Sequence, residues 1–438
     1  MAVSADVARL AAVAPDYVRR MGHHQRRNFL FLMLDSGTFA FAISLLSETT
    51  IIPAFVQTLS GSSVLVGLVA ATYALGRYLP QLVGAHLVRG RSRRKPLLLA
   101  IVIAERVGIL AIACTAQLIG VLDSSTVLVI FFVSFCAYAM TTGLIGPVYG
   151  DFIAKALTRG RGWYYGCVQL LGGLLGFSAA LVAEHLIKTN PFPGGIQLCF
   201  WLCFALSFLS ILFVSGLKEE AYPHVEPRPS FWSTVTEIPG LLRDNPAYGR
   251  FILARAFLAL STLGIGFVVV DGMGGVLTAS DAALMAAVFI LSQAVLGFLL
   301  GMVGNYLGWK LVVVIGGVLI AVGMAGAMIA DSMPVYIAIF AALGGANAVT
   351  IIADPNMSIE LAPTDKTSLY LGTTSTLLAP FFIVGPLMAG ALADVVGYPV
   401  VFGVAGMLAL AGLTLALRVR EPRMAITVEV VGQPGVLP

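Results

Sequence analysis

Ionisable side chains stand inside long apolar stretches of this 438-residue sequence, among them Asp35, Glu48, Arg77, Glu105, Arg106, Arg255 and Asp354. A charge in hydrocarbon costs at least about 2.5–3.5 kcal/mol, so each must face a partner or a water-filled recess. Two chemistries suit these residue types. A guanidinium offers a planar fork of donors to anionic or carbonyl oxygens. A carboxylate with little water around it can take up and release a proton.

Arg77 is the clearest candidate. Tyr73, Arg77, Pro80, Gln81 and Gly84 fall within about 100° of one helical face, a stripe of polar and small residues. Tyr73, Arg77 and Gln81 are therefore candidate substrate-binding residues, with Arg77 holding an anionic or carbonyl-bearing group. A structural salt bridge from Arg77 to Asp35 or Glu105 is the competing reading. Glu105 and Arg106 are neighbours about 100° apart on a helix, a geometry predicted to prevent simple mutual neutralisation. Arg106 shares its stripe with Gln117, and both join the substrate-binding set. Glu105 either meets Arg77 or carries a proton.

Asp35 and Glu48 lie about 140° apart around their helix and are not expected to line one cavity. With Glu105 they form the candidate coupling set, Asp35 foremost and Glu48 nearer the outer interface. Asn347, Thr350, Asp354 and Ser358 make a single polar stripe, and Pro355 beside it frees the carbonyl of Ile351. Asn347 and Asp354 are read as substrate or ion ligands, or else as parts of a kinked gating helix held by hydrogen bonds. Arg255 is expected to snorkel to the nearby edge of its apolar run. No zinc-ligand spacing, Walker loop or nucleophile elbow occurs, so the sequence points to no metal, no other cofactor and no enzyme. The five cysteines all sit in apolar runs and read as small apolar filler.

The elements that position these residues follow from composition. Apolar residues make up 58% of the chain and charged residues only 11%, against about 25% charged in soluble domains. Such a chain cannot cover a water-facing surface, which excludes a soluble enzyme, a nucleic-acid binder and a disordered scaffold. It is an all-α membrane protein whose surroundings are the lipid bilayer. Runs of bilayer-crossing length lie near 29–55, 64–87, 96–118, 127–150, 163–186 and 196–217, and again near 251–270, 283–303, 310–330, 334–358, 368–391 and 398–417. That is twelve transmembrane helices in two pseudo-symmetric six-helix bundles, 29–217 and 251–417. A segment 1–28 precedes them, a linker 218–250 joins them, and a tail 418–438 follows.

Charge placement supports the count. Of the 26 Lys and Arg, Arg77, Arg106 and Arg255 lie within spans and Lys188 alone falls on the outer side. All the others fall on the side of the two ends and the central linker. The positive-inside rule makes that side cytoplasmic, in an inner or plasma membrane. The halves also echo each other: Gly84 to Lys95 has a counterpart in Gly301 to Lys310, and Pro147 in Pro355. Repeated halves are how many transporters are built.

Twelve spans as six plus six, with both ends inside and a basic turn after the second span, resemble the major facilitator superfamily. The turn from Gly84 to Lys95 is similar to the family's G-x-x-x-D-R-x-G-R-R/K loop. Gly84 and Arg89 are in place, Val88 stands at the acidic position and Arg91 at the second glycine. Gly385-Pro386, Gly390, Ala393-Asp394 and Gly397-Tyr398 resemble the family's eleventh-span pattern. The resemblance covers roughly residues 28–418 and reaches no subfamily. Span four, for instance, lacks the arginine of the drug/proton antiporters.

The resemblance implies a secondary transporter working by alternating access on an ion gradient. It also implies that the basic turn latches against the end of span four, where Asp151 lies, giving a gating set of Gly84, Arg89, Arg93 and Asp151. Binding of anionic headgroups by the turn is the alternative. The buried arginines favour a small polar, anionic metabolite, and the embedded carboxylates favour proton coupling. Proton-coupled efflux of lipophilic cations or drugs is the rival. A non-transporting membrane assembly factor on the same fold is a third reading. The expected partners are a small-molecule substrate and protons, with the chain acting as a monomer.

Overall fold

The computed structural model describes residues 11, 14–48, 50–223, 229–273, 275–277, 279–363 and 365–422. Most of the segment 1–13 and the tail beyond 422 therefore lie outside the described residues. Apolar stretches with few polar groups must satisfy their backbone internally, and in lipid that means helices. Accordingly the described residues form sixteen α-helices and no strand. They are α1 (Pro15–Leu46), α2 (Ile51–Ser60), α3 (Ser63–Tyr78), α4 (Gln81–Val88), α5 (Lys95–Gln117), α6 (Ser124–Ala156), α7 (Arg161–Thr189) and α8 (Gly194–Gly216). Then come α9 (Phe231–Asp244), α10 (Pro246–Ser261), α11 (Ile265–Met273), α12 (Ala279–Leu307), α13 (Trp309–Ala327), α14 (Met333–Leu361), α15 (Thr367–Val396) and α16 (Tyr398–Arg418).

Ten stretches of described residues are long and apolar enough to cross a membrane. The broken run α3–α4 and the helix α15 complete the twelve runs read from the sequence. Three spans are interrupted. Residues 47–50 separate α1 from α2, and a short 3-10 turn (Thr262–Gly264) joins α10 to α11. The third break, at Leu79–Pro80, has a visible cause. Pro80 has no N–H to give the Gly76 carbonyl, and the Gln81 side chain donates instead to the Arg77 carbonyl at 3.0 Å.

The chain groups into two compact units. The first comprises Arg19–Leu157 and Leu174–Arg228. Its core is aromatic, with Phe55 5.0 Å from Phe131 and 5.6 Å from Phe200 between ring centroids. Here α3 and α4 lie directly on α6. A Cβ on Gly84 would strike the Leu144 carbonyl, and one on Gly143 the backbone of Gly76 and Arg77. The second unit comprises the described residues of Thr158–Gly173 and Pro229–Pro438, with those before Arg19. Trp309, Val312, Ile320, Leu343, Ile352 and Phe402 fill its core. The start of α7 packs on α12, where Trp163 Nε1 donates to the Tyr306 hydroxyl at 3.1 Å.

Candidate functional site

In the first unit, buried charge gathers around Arg106. α5 presents Glu105 and Arg106 inward, and both are buried. Arg106 Nη1 pairs with Glu105 Oε2, which corrects the expectation that adjacent positions cannot neutralise each other. The helical angle fixes only where the Cβ atoms point, and the long arginine chain curls back to its neighbour. The other two nitrogens donate as well. Arg106 Nη2 donates to Ser210 Oγ at 2.9 Å and Nε to the Ser207 carbonyl at 3.1 Å. Its guanidinium lies over the Phe39 ring, 4.3 Å from the centroid. Glu105 Oε1 accepts from Thr142 at 2.8 Å.

Asp35, on α1, is the second carboxylate facing Arg106. Its Oδ2 accepts from the Tyr149 hydroxyl at 2.9 Å. Its Oδ1 is buried with no hydrogen-bond partner. Two carboxylates thus share one guanidinium, and the trio carries one negative charge more than positive.

The Tyr73–Arg77–Gln81 stripe forms a separate site. Arg77 is exposed, and its Nη1 donates to the Tyr73 hydroxyl at 3.3 Å. The Tyr73 ring stacks on Phe135 at 6.4 Å. Glu48 is the carboxylate neighbour of both Tyr73 and Arg77. Arg77 therefore meets neither Asp35 nor Glu105 in an ion pair: those two serve Arg106. Gln117 stands apart as the exposed last residue of α5. Eleven residues of helix put it about 16 Å along the axis from Arg106.

The basic turn holds a third cluster. Arg94 Nε donates to Asp151 Oδ2 at 3.0 Å, and Lys155 pairs with the other oxygen of Asp151. Glu219 closes the same corner. It accepts from the backbone N–H of Arg94 at 2.6 Å and of Lys95 at 2.9 Å, at the first turn of α5. The positive end of a helix favours a carboxylate there. Burial pushes the Glu219 carboxyl above its ordinary range, and the two N–H bonds and Arg94 hold it back. The Tyr222 ring covers Arg94 at 4.8 Å and Lys155 at 5.0 Å. Of the expected gating set, Gly84 is the close-approach glycine described above, Arg93 is exposed and Arg89 half-buried. Asp151 meets Arg94, which sequence reasoning had not singled out, and Glu219 had no motif to mark it.

The second unit resolves its stripe into two contacts. Asn347 Nδ2 donates to Gln293 Oε1 at 2.7 Å. Asp354 holds Arg255 through both carboxylate oxygens, with Nη2 to Oδ2 at 2.9 Å. Thr350 Oγ1 accepts from the same Nη2 at 3.0 Å. Arg255 is 2% exposed, so it does not snorkel. Asp354 lies across on α14, and a pair inside is cheaper than a bent side chain whose carboxylate partner would be left alone. A chain of hydroxyls, Ser358, Thr374 and Tyr248, continues at 2.8 and 2.9 Å.

Residues 273–432 match the model of the Major Facilitator Superfamily. Solved transporters of that family superpose on the chain almost from end to end. The chain has the major facilitator superfamily fold. One such structure is the E. coli fucose:proton symporter FucP, with a TM-score of 0.66 and 14% identity over 90% of this chain and 98% of that one. A bacterial homologue of the iron transporter ferroportin, in an outward-facing state, gives 0.68 and 12% over 89% and 98%. The human organic anion transporter MFSD10 (TETRAN) gives 0.70 and 14% over 90% and 99%. No curated protein matches the sequence. A sugar, a metal and an organic anion transporter superpose equally well, so the superfamily fold carries transporter architecture and leaves the cargo to the side chains. Proteins of the superfamily are transporters and not enzymes.

Proposed function

We propose that this chain is a secondary active transporter for a small polar metabolite bearing a carboxylate or another anionic group, coupled to protons and working by alternating access. The observation that carries the reading is the contrast among the three span arginines. Arg106 and Arg255 are buried against carboxylates. Arg77 is exposed and, among the described residues, its guanidinium hydrogen-bonds only to Tyr73. It is the cation left for a substrate, and it stands near the middle of α3–α4. Ser63 is about 21 Å away along the helix and Val88 about 16 Å. The organic anion transporter among the structural neighbours is in keeping with that role.

Proton coupling rests on the charge balance of Asp35, Glu105 and Arg106. One proton brings the trio to neutrality, and the unpartnered Asp35 Oδ1 is a place for it. The proton:sugar symporter among the neighbours is in keeping with such coupling. In this reading residues 29–217 and 251–417 are the two moving bundles, joined by 218–250. The ends and the linker face the cytoplasm across an inner or plasma membrane, and the unit is a monomer. Asp151 with the basic turn, Gly84 and Arg89 included, steadies one gate.

The test is flux in proteoliposomes. A panel of small organic acids, sugars and lipophilic cations is presented with and without an imposed pH gradient. The expected result is gradient-driven movement of an organic acid that Arg77→Ala abolishes. Export of lipophilic cations that survives Arg77→Ala would overturn the substrate class. Absence of any flux beside a stable co-purifying protein would favour an assembly role.

A further inference from the structure

The site around Arg77 has a second charge, and that charge restricts the substrate further. Glu48 follows α1, where the first span breaks, and is partly exposed. Glu48 and Arg77 are electrostatic neighbours through Tyr73, yet among the described residues neither forms an ion pair. The tyrosine hydroxyl, which can both donate and accept, bridges the two: it accepts from Arg77 at 3.3 Å and is hydrogen-bonded to Glu48. Behind them the wall is aromatic: Phe135 stacks on Tyr73, and Tyr138 is buried beside Phe135 at 6.1 Å.

A ligand entering such a site displaces water from both charges. A simple anion would satisfy Arg77 but face Glu48 with like charge, and a simple cation would do the reverse. An uncharged sugar would leave two desolvated charges without counter-charges, which is costly. Taking Arg77 as the substrate-binding residue proposed above, we infer that the substrate is a zwitterion. Its carboxylate meets Arg77, its ammonium meets Glu48, and the Tyr73 hydroxyl lies between them. The site is neutral before binding and neutral after it. Amino acids and their small amine-bearing relatives are the chemical class that fits.

The experiment uses the purified full-length chain. Thermal stability is screened against each of the twenty standard amino acids, their N-acetyl derivatives, which keep only the negative charge, and their amides, which keep only the positive. Binding of the best amino acid and of its two derivatives is then titrated. In the wild type, N-acetylation and amidation should each weaken binding about tenfold or more, the size of one lost charged hydrogen bond. In Glu48→Gln the N-acetyl penalty should vanish while the amide penalty remains. Arg77→Gln should do the opposite. Each penalty is a ratio within one variant, so a general loss of stability cancels. If Arg77→Gln does not fold, Arg77→Lys keeps the charge and must keep both penalties.

N-acetyl compounds and plain carboxylates binding as well as amino acids would overturn the zwitterion and leave the anion reading of Arg77 standing. Binding of cations or sugars alone would overturn both. A panel in which no amino acid or derivative binds would also overturn the zwitterion.

Discussion

Each compact unit buries one of the span arginines, and the two do so differently. In the second unit Arg255 and Asp354 balance one against one, with Thr350 taking a remaining donor. In the first, Arg106 faces two carboxylates, one paired and one with an oxygen left over. A balanced pair is a fixed joint, since breaking either half strands a charge in a poor solvent for it. An unbalanced trio can change its charge by one proton and still keep its framework of hydrogen bonds to Thr142, Tyr149 and Ser210. Under the coupling proposed above, the second unit holds and the first switches.

The sharpest way to break that comparison is to make one substitution in both places. Asp354→Asn should strand Arg255 and cost about 3–5 kcal/mol of stability. Asp35→Asn should leave a neutral Glu105–Arg106 pair, change stability by about 1 kcal/mol or less, and remove the dependence of flux on a pH gradient. Equal losses from both, measured by thermal unfolding in detergent and by proteoliposome flux, would erase the distinction.

A smaller effect is expected at the basic turn, where the charges balance as they do around Arg255. Burial raises the Glu219 carboxyl above 4.5 in the folded chain. The stability it contributes is therefore full below that value and is lost as pH rises through its folded value. Glu219→Gln should flatten the decline of Tm across that window. An unchanged slope would assign the decline to other groups.

The smallest effect is expected outside the clusters, at Asp123, which caps α6 by accepting from the Thr126 backbone N–H at 2.9 Å and from its hydroxyl. The Thr126 N–H depresses this carboxyl below 3.8. Its contribution is present above 3.8 and is lost as pH falls through the depressed value. Asp123→Ala should lower Tm slightly at pH 7, and the difference from wild type should close on acidification.

Much of this was legible in the sequence, and what was missed shares one cause. The spacing of Tyr73, Arg77 and Gln81 reads as one face, and the contacts Arg77 to Tyr73 and Gln81 to Arg77 follow it. Span number and order followed from apolar run length and charge side. Periodicity tells which way a residue faces on its own helix and nothing about who faces it from another. Arg255 was misjudged because its partner lies 99 residues away. Glu105 and Arg106 were misjudged because side-chain length overrode helical angle. Asn347 and Asp354 share a stripe, yet different helices claim them, so their expected joint role divides in two. Glu219 sits in a loop, where no period operates at all.

The strap at the end of α8 has a practical meaning for anyone dividing the gene. Asn28 exchanges two hydrogen bonds with Lys218, at 2.9 and 2.8 Å, Lys95 holds the Ser215 and Leu217 carbonyls, and Tyr222 donates its N–H to the Ser92 carbonyl. By contact, residues 215–222 belong to the helices before them, although by sequence the linker opens at Lys218. Two polypeptides made by a cut after Tyr222 would leave every one of these bonds within the first piece. A cut before Ser215 would strip the first piece of its clasp and leave the second with a charged, tyrosine-bearing overhang and nothing to hold it.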